Sequence, residues 1–161
     1  MDHLWTPWRS TYMKAQKRPG DCIFCAAAEN PDEDETNLVI HRGSHCFVIL
    51  NLYPYTSGHL MIVPYKHVSK LIEADRQSTT EMMELARRAE AVIETVYNPD
   101  GLNMGLNVGA AAGAGIAQHI HMHVLPRWSG DANFMTTVSG TRIIPEALEE
   151  TYQKVKDAWR S

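Results

Sequence analysis

The sequence predicts an α+β fold: one antiparallel sheet with a long central helix and a C-terminal helix packed on it. Three observations carry this. Apolar runs at 38–41 and 46–50 flank the turn-like Arg42-Gly43-Ser44, the pattern of a β-hairpin. Met82, Leu85, Ala89, Val92, Ile93 and Val96 recur at helical spacing and give one apolar face. Helices are inserted among hairpin-ordered strands rather than alternating with them, which separates this class from a parallel α/β design.

In chain order, residues 1–20 mix Trp5, Pro7, Trp8 and Tyr12 with basic side chains and read as an irregular arm. The acidic stretch 29–36 surrounds Pro31 and is expected to be a solvated loop, because clustered like charges beside a proline oppose regular structure. After the hairpin, Leu60-Met61-Ile62-Val63 forms a further strand. Ser78 with Glu81 three residues on has the form of a capping box and places the start of the long helix there. Asn98-Pro99-Asp100-Gly101 ends that helix. Leu102, Met104, Leu106 and Val108 then alternate with polar or small residues as in a half-buried strand. A small-residue loop at 109–115 leads into a strand over 118–125, and a C-terminal helix beginning near Pro145 buries Leu148, Tyr152, Val155 and Trp159.

Composition narrows the function. A chain of 161 residues suits one domain with a real core, and 44% hydrophobic against 21% charged residues is the balance of a globular protein. No apolar run approaches a membrane span, and a net charge of −4 gives no general attraction for a nucleic acid. Three cysteines, an odd number, fit a reduced compartment better than a disulfide framework. With no signal-like N-terminus the expectation is a cytoplasmic protein that engages neither membrane nor nucleic acid.

The chemistry concentrates in Gln118-His119-Ile120-His121-Met122-His123-Val124-Leu125. Strand alternation puts His119, His121 and His123 on one face. Such a face can be solvent-exposed histidine, or a three-histidine zinc centre with an open position for water. The loop 109–115 has few side chains, so its amides can approach an anion, although no Gly-Lys-Ser/Thr follows and it is not a P-loop. Cys22 and Cys25 have zinc-ligand spacing but need two further ligands for a closed site.

His119 to Leu125 resembles the signature of the histidine-triad (HIT) family. The likeness extends from about Cys22 to Trp128. Leu4-Trp5-Thr6-Pro7-Trp8-Arg9 and the segment from Pro126 to Phe134 are similar to the bacterial branch that includes diadenosine tetraphosphate phosphorylases. The resemblance implies a half-barrel that pairs with a second copy as a homodimer. It implies an arm at 1–20, a catalytic HIT domain at 21–135 and a C-terminal extension at 136–161. It implies an enzyme that transfers or hydrolyses a nucleotidyl group from a dinucleoside polyphosphate or related adenosine conjugate. His121 would be the nucleophile, with His123 and His59 on the phosphoryl oxygens or the leaving group. Asn51, Asn107, Gly113, Gly115, Ile116 and His123 would hold the nucleotide. Gly115-Ile116-Ala117 lacks the hydroxyl found in many relatives, so a backbone amide must replace it. A structural zinc would sit on Cys22, Cys25, His67 and His119. The chemistry asks for a neutral His121 with one ring nitrogen kept as N–H by an acceptor. Two other readings remain open at this point: a hydrolase with zinc at the triad, and a nucleotide-binding module without turnover. His3, His41 and His45 have no partner legible in the sequence, and Trp128 is open between nucleotide, partner subunit and core.

Overall fold

The computed structural model describes residues 22–131 and 146–161; the arm at 1–20, the stretch to Phe134 and Pro145 lie outside them. Helix α1 (Ile23–Glu29) precedes the hairpin β1 (Val39–Arg42) and β2 (Cys46–Leu50), then β3 (Leu60–Pro64). Helix α2 (Arg76–Tyr97), β4 (Gly101–Leu106), β5 (Met122–Arg127) and helix α3 (Leu148–Arg160) follow. The five strands form one antiparallel sheet in the order β1-β2-β3-β5-β4. No helix among the described residues is long and apolar enough to cross a membrane.

Alternation along the central strands gives the sheet two apolar faces. One carries Val48, Leu50, Leu60, Ile62, Met122 and Val124 and is covered by α2 and α3. The other carries Phe47, Ile49, Met61 and Val63 and is covered by Phe24 of α1. β2 and β3 are therefore buried at every residue, which is why both read as continuous apolar runs. Pro126 fits inside β5 because the β3 pairing ends at Leu60↔Val124. Its carbonyl instead accepts the Thr56 hydroxyl at 3.2 Å.

Several local expectations change. The cap of α2 is Asp75, whose carboxylate accepts the Ser78 N–H at 2.8 Å; Ser78 lies inside the first turn. Glu81 is drawn off by tertiary structure and accepts the N–H groups of Ser44, His45 and Cys46 at 2.8, 2.5 and 2.6 Å. The helix does end at Asn98, in the left-handed conformation that suits a C-cap. The acidic stretch is only partly a solvated loop: Pro31–Glu33 is a 3-10 turn, and Asp34 accepts Nε and Nη2 of Arg42 at 2.9 and 2.7 Å. The histidine strand begins at Met122 rather than 118, because Ile120 donates to the Val68 carbonyl, beyond the end of β3. On the edge strand β4 and just past it, Met104 and Val108 are 41% and 45% exposed rather than half-buried, with no layer over them among the described residues. The C-terminal helix begins at Leu148 and buries Tyr152, Val155 and Trp159 as expected, while Leu148 itself, at its first turn, is only half-buried.

Burial pushes Glu81 up, but the three amides outweigh it and hold the carboxyl below its ordinary 4.5. A lowered folded value means that this stabilisation is present above pH 4.5 and is lost as pH falls through the folded pKa. Glu81→Gln is therefore expected to lower unfolding free energy by about 1.5–3 kcal/mol at neutral pH. The gap between variant and parent should close below pH 4.5. Urea unfolding at both pH values checks this; equal stabilities at neutral pH would contradict it.

Candidate active site and metal centre

The histidines project on the face opposite α2 and α3, and each ring is held differently. His121 is 4% exposed, and its Nδ1 lies 2.9 Å from the carbonyl oxygen of His119. A carbonyl only accepts, so Nδ1 carries the proton and Nε2 keeps its lone pair. Burial pushes His121 below the usual imidazole range, against the opposite pull of that carbonyl. Phe24 packs on it with ring centres 5.0 Å apart, fixing the ring from α1. The His121 ring thus has its acceptor two residues away in its own chain.

His59 is fully buried at the mouth of β3. Gly58 takes φ +78° there, and a Cβ on it would stand 2.7 Å from the Tyr97 ring, so only glycine fits this close approach to α2. The His59 Nδ1 accepts the Tyr55 N–H at 3.1 Å, which leaves the proton on Nε2. That Nε2 donates to Nδ1 of His123 at 2.9 Å, so a neutral His123 carries its own proton on Nε2. Burial first, then the nearby His121, push His123 down to about 4. His121 and His123 lean together, with ring centres 4.8 Å apart. The site therefore presents a lone pair on His121 beside an N–H donor on His123.

His119 turns the other way. Its Nε2–H donates to the Pro64 carbonyl at 2.8 Å, so its Nδ1 lone pair faces Cys22 Sγ at 3.3 Å and Cys25 Sγ at 3.7 Å. His67 brings its Nδ1 to 3.2 Å from Cys25 Sγ. All four ligand atoms lie within 4.8 Å of one another. A tetrahedral zinc with Zn–S of about 2.3 Å and Zn–N of about 2.0 Å sets sulfur and nitrogen roughly 3.5 Å apart, so this donor set fits the ion. Without a cation, burial and the adjacent Cys22 push the Cys25 thiol up to about 11. The three triad rings do not point three lone pairs at one position, which disfavours a metal at the triad itself.

Asn51 closes the loop before His59: its N–H donates to the His59 carbonyl at 2.9 Å and its Oδ1 accepts the Tyr53 N–H at 2.9 Å. In the small-residue loop, Ala110–Ala112 is a 3-10 turn and Gly113, at φ +90°, donates its N–H to Ala110. The Gly113 amide is thereby engaged, and Asn107 Nδ2 stands beside this glycine. The amides of Gly115 and Ile116 meet no backbone carbonyl among the described residues, and the Ile116 side chain packs beneath, against the Phe24 face. Trp128 meets Tyr97 edge-on at 6.3 Å, so it packs on its own chain. His41 stacks on Trp159, away from the site. Two site residues were not singled out from sequence. Phe24 lies between the two cysteines, so a metal joining them to His119 already placed it near the triad. Tyr55, tilted on His59 at 4.8 Å and stacked on His123 at 6.1 Å, carries no such signal.

The family model described as HIT domain matches residues 32–130. The AP-4-A phosphorylase of Mycobacterium tuberculosis is 40% identical over 165 residues, covering 99% of this chain and 85% of the relative. A Zn-bound histidine triad family protein from Mycobacterium smegmatis superposes with a TM-score of 0.71 at 27% identity, covering 87% of this chain and 94% of that one. A hypothetical histidine triad nucleotide-binding protein from Sulfolobus tokodaii gives 0.67 at 27% identity, covering 86% and 89%. Matched by the family model over more than half its length, and by a relative over nearly all of it, the chain belongs to the histidine-triad family.

Proposed function

We propose that the protein is an enzyme that cleaves dinucleoside polyphosphates such as diadenosine tetraphosphate through a covalent nucleotidyl group on His121. The observation that carries this is the 2.9 Å bond from His121 Nδ1–H to the His119 carbonyl, which leaves Nε2 as the free lone pair of a buried, neutral ring. Nε2 attacks the α-phosphorus; the N–P bond forms as the P–O bond to the remaining polyphosphate breaks. The ring becomes a nucleotidyl-imidazolium, its Nδ1–H still on the carbonyl. An acceptor then attacks phosphorus, the N–P bond breaks, and the neutral imidazole returns. The name of the mycobacterial relative supports phosphate as that acceptor. The Nε2–H of His123, kept in place by His59, donates to the phosphoryl oxygens or the leaving group.

Gly115 and Ile116 amides, with Asn107 beside the Gly113 turn, cradle the phosphates, and Asn51 lies toward the ribose. Cys22, Cys25, His67 and His119 hold a structural zinc; the Zn-bound mycobacterial structure supports it. When bound, that ion supplies a cross-link that fixes α1 and His119. We place the catalytic unit at 21–135, between the arm at 1–20 and the extension at 136–161. The exposed β4 edge with Met104 and Val108 is the surface for a second copy in a homodimer. Three free cysteines suit the reducing cytoplasm.

The test is intact-protein mass spectrometry with rapid quenching after exposure to diadenosine tetraphosphate. A mass gain of one adenylyl group, mapped to His121, is expected, with ADP and ATP as products in phosphate buffer. Turnover without an adduct, or an adduct on another side chain, would overturn the covalent reading.

A further inference from the structure

At the sheet edge opposite β4, a cavity of about 340 Å³ opens between β1, α2 and α3. Its wall carries four basic side chains, Arg42, Arg88, Lys156 and Arg160, together with His41 and one carboxylate, Asp34. In a chain of net charge −4 this is positive charge gathered against the overall balance.

Asp34 is already bound by Arg42. Arg88, Lys156 and Arg160 form no ion pair among the described residues. Arg88 donates to the Trp159 carbonyl and Lys156 to the Val39 carbonyl, contacts that use one donor each and cancel no charge. Of the five N–H groups on each guanidinium and the three on the ammonium, most remain open. The outlying segments offer little acid either: Arg9, Lys14, Lys17, Arg18 and Arg142 stand there against Asp2 and Asp21.

Two of the cations, Arg88 and Lys156, are also held in place. The Arg88 guanidinium lies 5.1 Å over the Trp159 ring, and Trp159 is 2% exposed. Burial, with Arg160 and Arg42 opposing Asp34, pushes the Lys156 amine below its ordinary value. Side chains already ordered lose less freedom when a ligand arrives. A single carboxylate neutralises one of the three open charges; a phosphate chain meets all three and matches the arginine forks.

We propose that this cavity is a second anion site, separate from the histidines, that binds an oligophosphate. It shares no residue with the triad or the metal centre, and it stands whether or not His121 is a nucleophile. The test uses the full-length, zinc-loaded protein and tripolyphosphate as probe, followed by NMR at the Trp159 indole N–H, which has no acceptor among the described residues. Expected is a saturable shift of that resonance. Its apparent Kd should rise at least tenfold in Arg160→Gln, an exposed residue with no side-chain partner among the described residues, and further in Lys156→Gln/Arg160→Gln. Turnover of diadenosine tetraphosphate, assayed with inorganic phosphate present as acceptor, should stay within twofold in both variants. ATP as a second probe separates sources: a matching shift assigns the site to the tail of a nucleotide, and a shift with tripolyphosphate alone to free polyphosphate. No shift with either probe, or the same Kd in both variants, would overturn the proposal.

Discussion

His121→Ala is expected to lower kcat/KM for diadenosine tetraphosphate by on the order of 10⁴-fold or more, because the bond-forming atom itself is removed. His121→Asn should lose as much, which separates the chemistry from the small void that alanine leaves beside Phe24. Nucleotide affinity should change far less in both, since the phosphate contacts assigned to Gly115, Ile116 and His123 remain. His123→Asn keeps the nucleophile and should cost about 10²-fold, the scale of one donor to a developing charge. Steady-state kinetics with a binding isotherm on each variant decide the matter. A His121 variant within tenfold of the parent would end the assignment. So would a variant that loses binding and turnover in equal measure, because that pattern marks a ligand contact rather than a nucleophile.

Zinc removal is expected to give the second large effect, and on a different quantity. The four proposed ligands belong to α1 and its cap, the segment after β3 and the entry to β5, so a cation there would tie together parts of the chain far apart in sequence. Cys22→Ser, or chelation of the loaded protein, should lower the melting temperature by roughly 5–15 °C. That range corresponds to a few kcal/mol in a domain of this size. Turnover should fall only in part, because His119 contributes a backbone carbonyl to the site and its ring none to the substrate. Elemental analysis with scanning calorimetry checks this. Protein without stoichiometric zinc, and a Cys22→Ser variant that melts with the parent, would refute the metal centre. Complete and metal-reversible loss of turnover with an unchanged melting temperature would favour a catalytic metal instead.

Much of the architecture was legible because local pattern and tertiary demand agree. The hairpin at 39–50 is declared by apolar runs on either side of Arg42-Gly43-Ser44, and the face of α2 by its spacing. Both elements appear where the pattern puts them. His121 and His123 keep the alternation onto one face even though the strand starts late, whereas His119 lies in a bend before it and turns its ring to the cysteines. Agreement fails where a side chain takes a distant partner. Glu81 looks like half of a capping box, yet three amides of the β1–β2 turn claim it, and Asp75 takes over the cap. Asp34, one acid among many in its stretch, is set apart only by the reach of Arg42.

By itself the sequence determined the kinds of chemistry present: three imidazoles at alternate positions, a cysteine pair at metal spacing, and a small-residue loop beside them. These are matters of residue type and short period, and they need no coordinates. Only the folded chain decided which nitrogen of each ring is free. His119 is 97 residues from Cys22, yet it turns its Nδ1 to that sulfur while its own carbonyl takes the His121 proton. A tautomer depends on which acceptor stands within hydrogen-bond distance, and that distance is set by sheet register and helix docking rather than by neighbours along the chain.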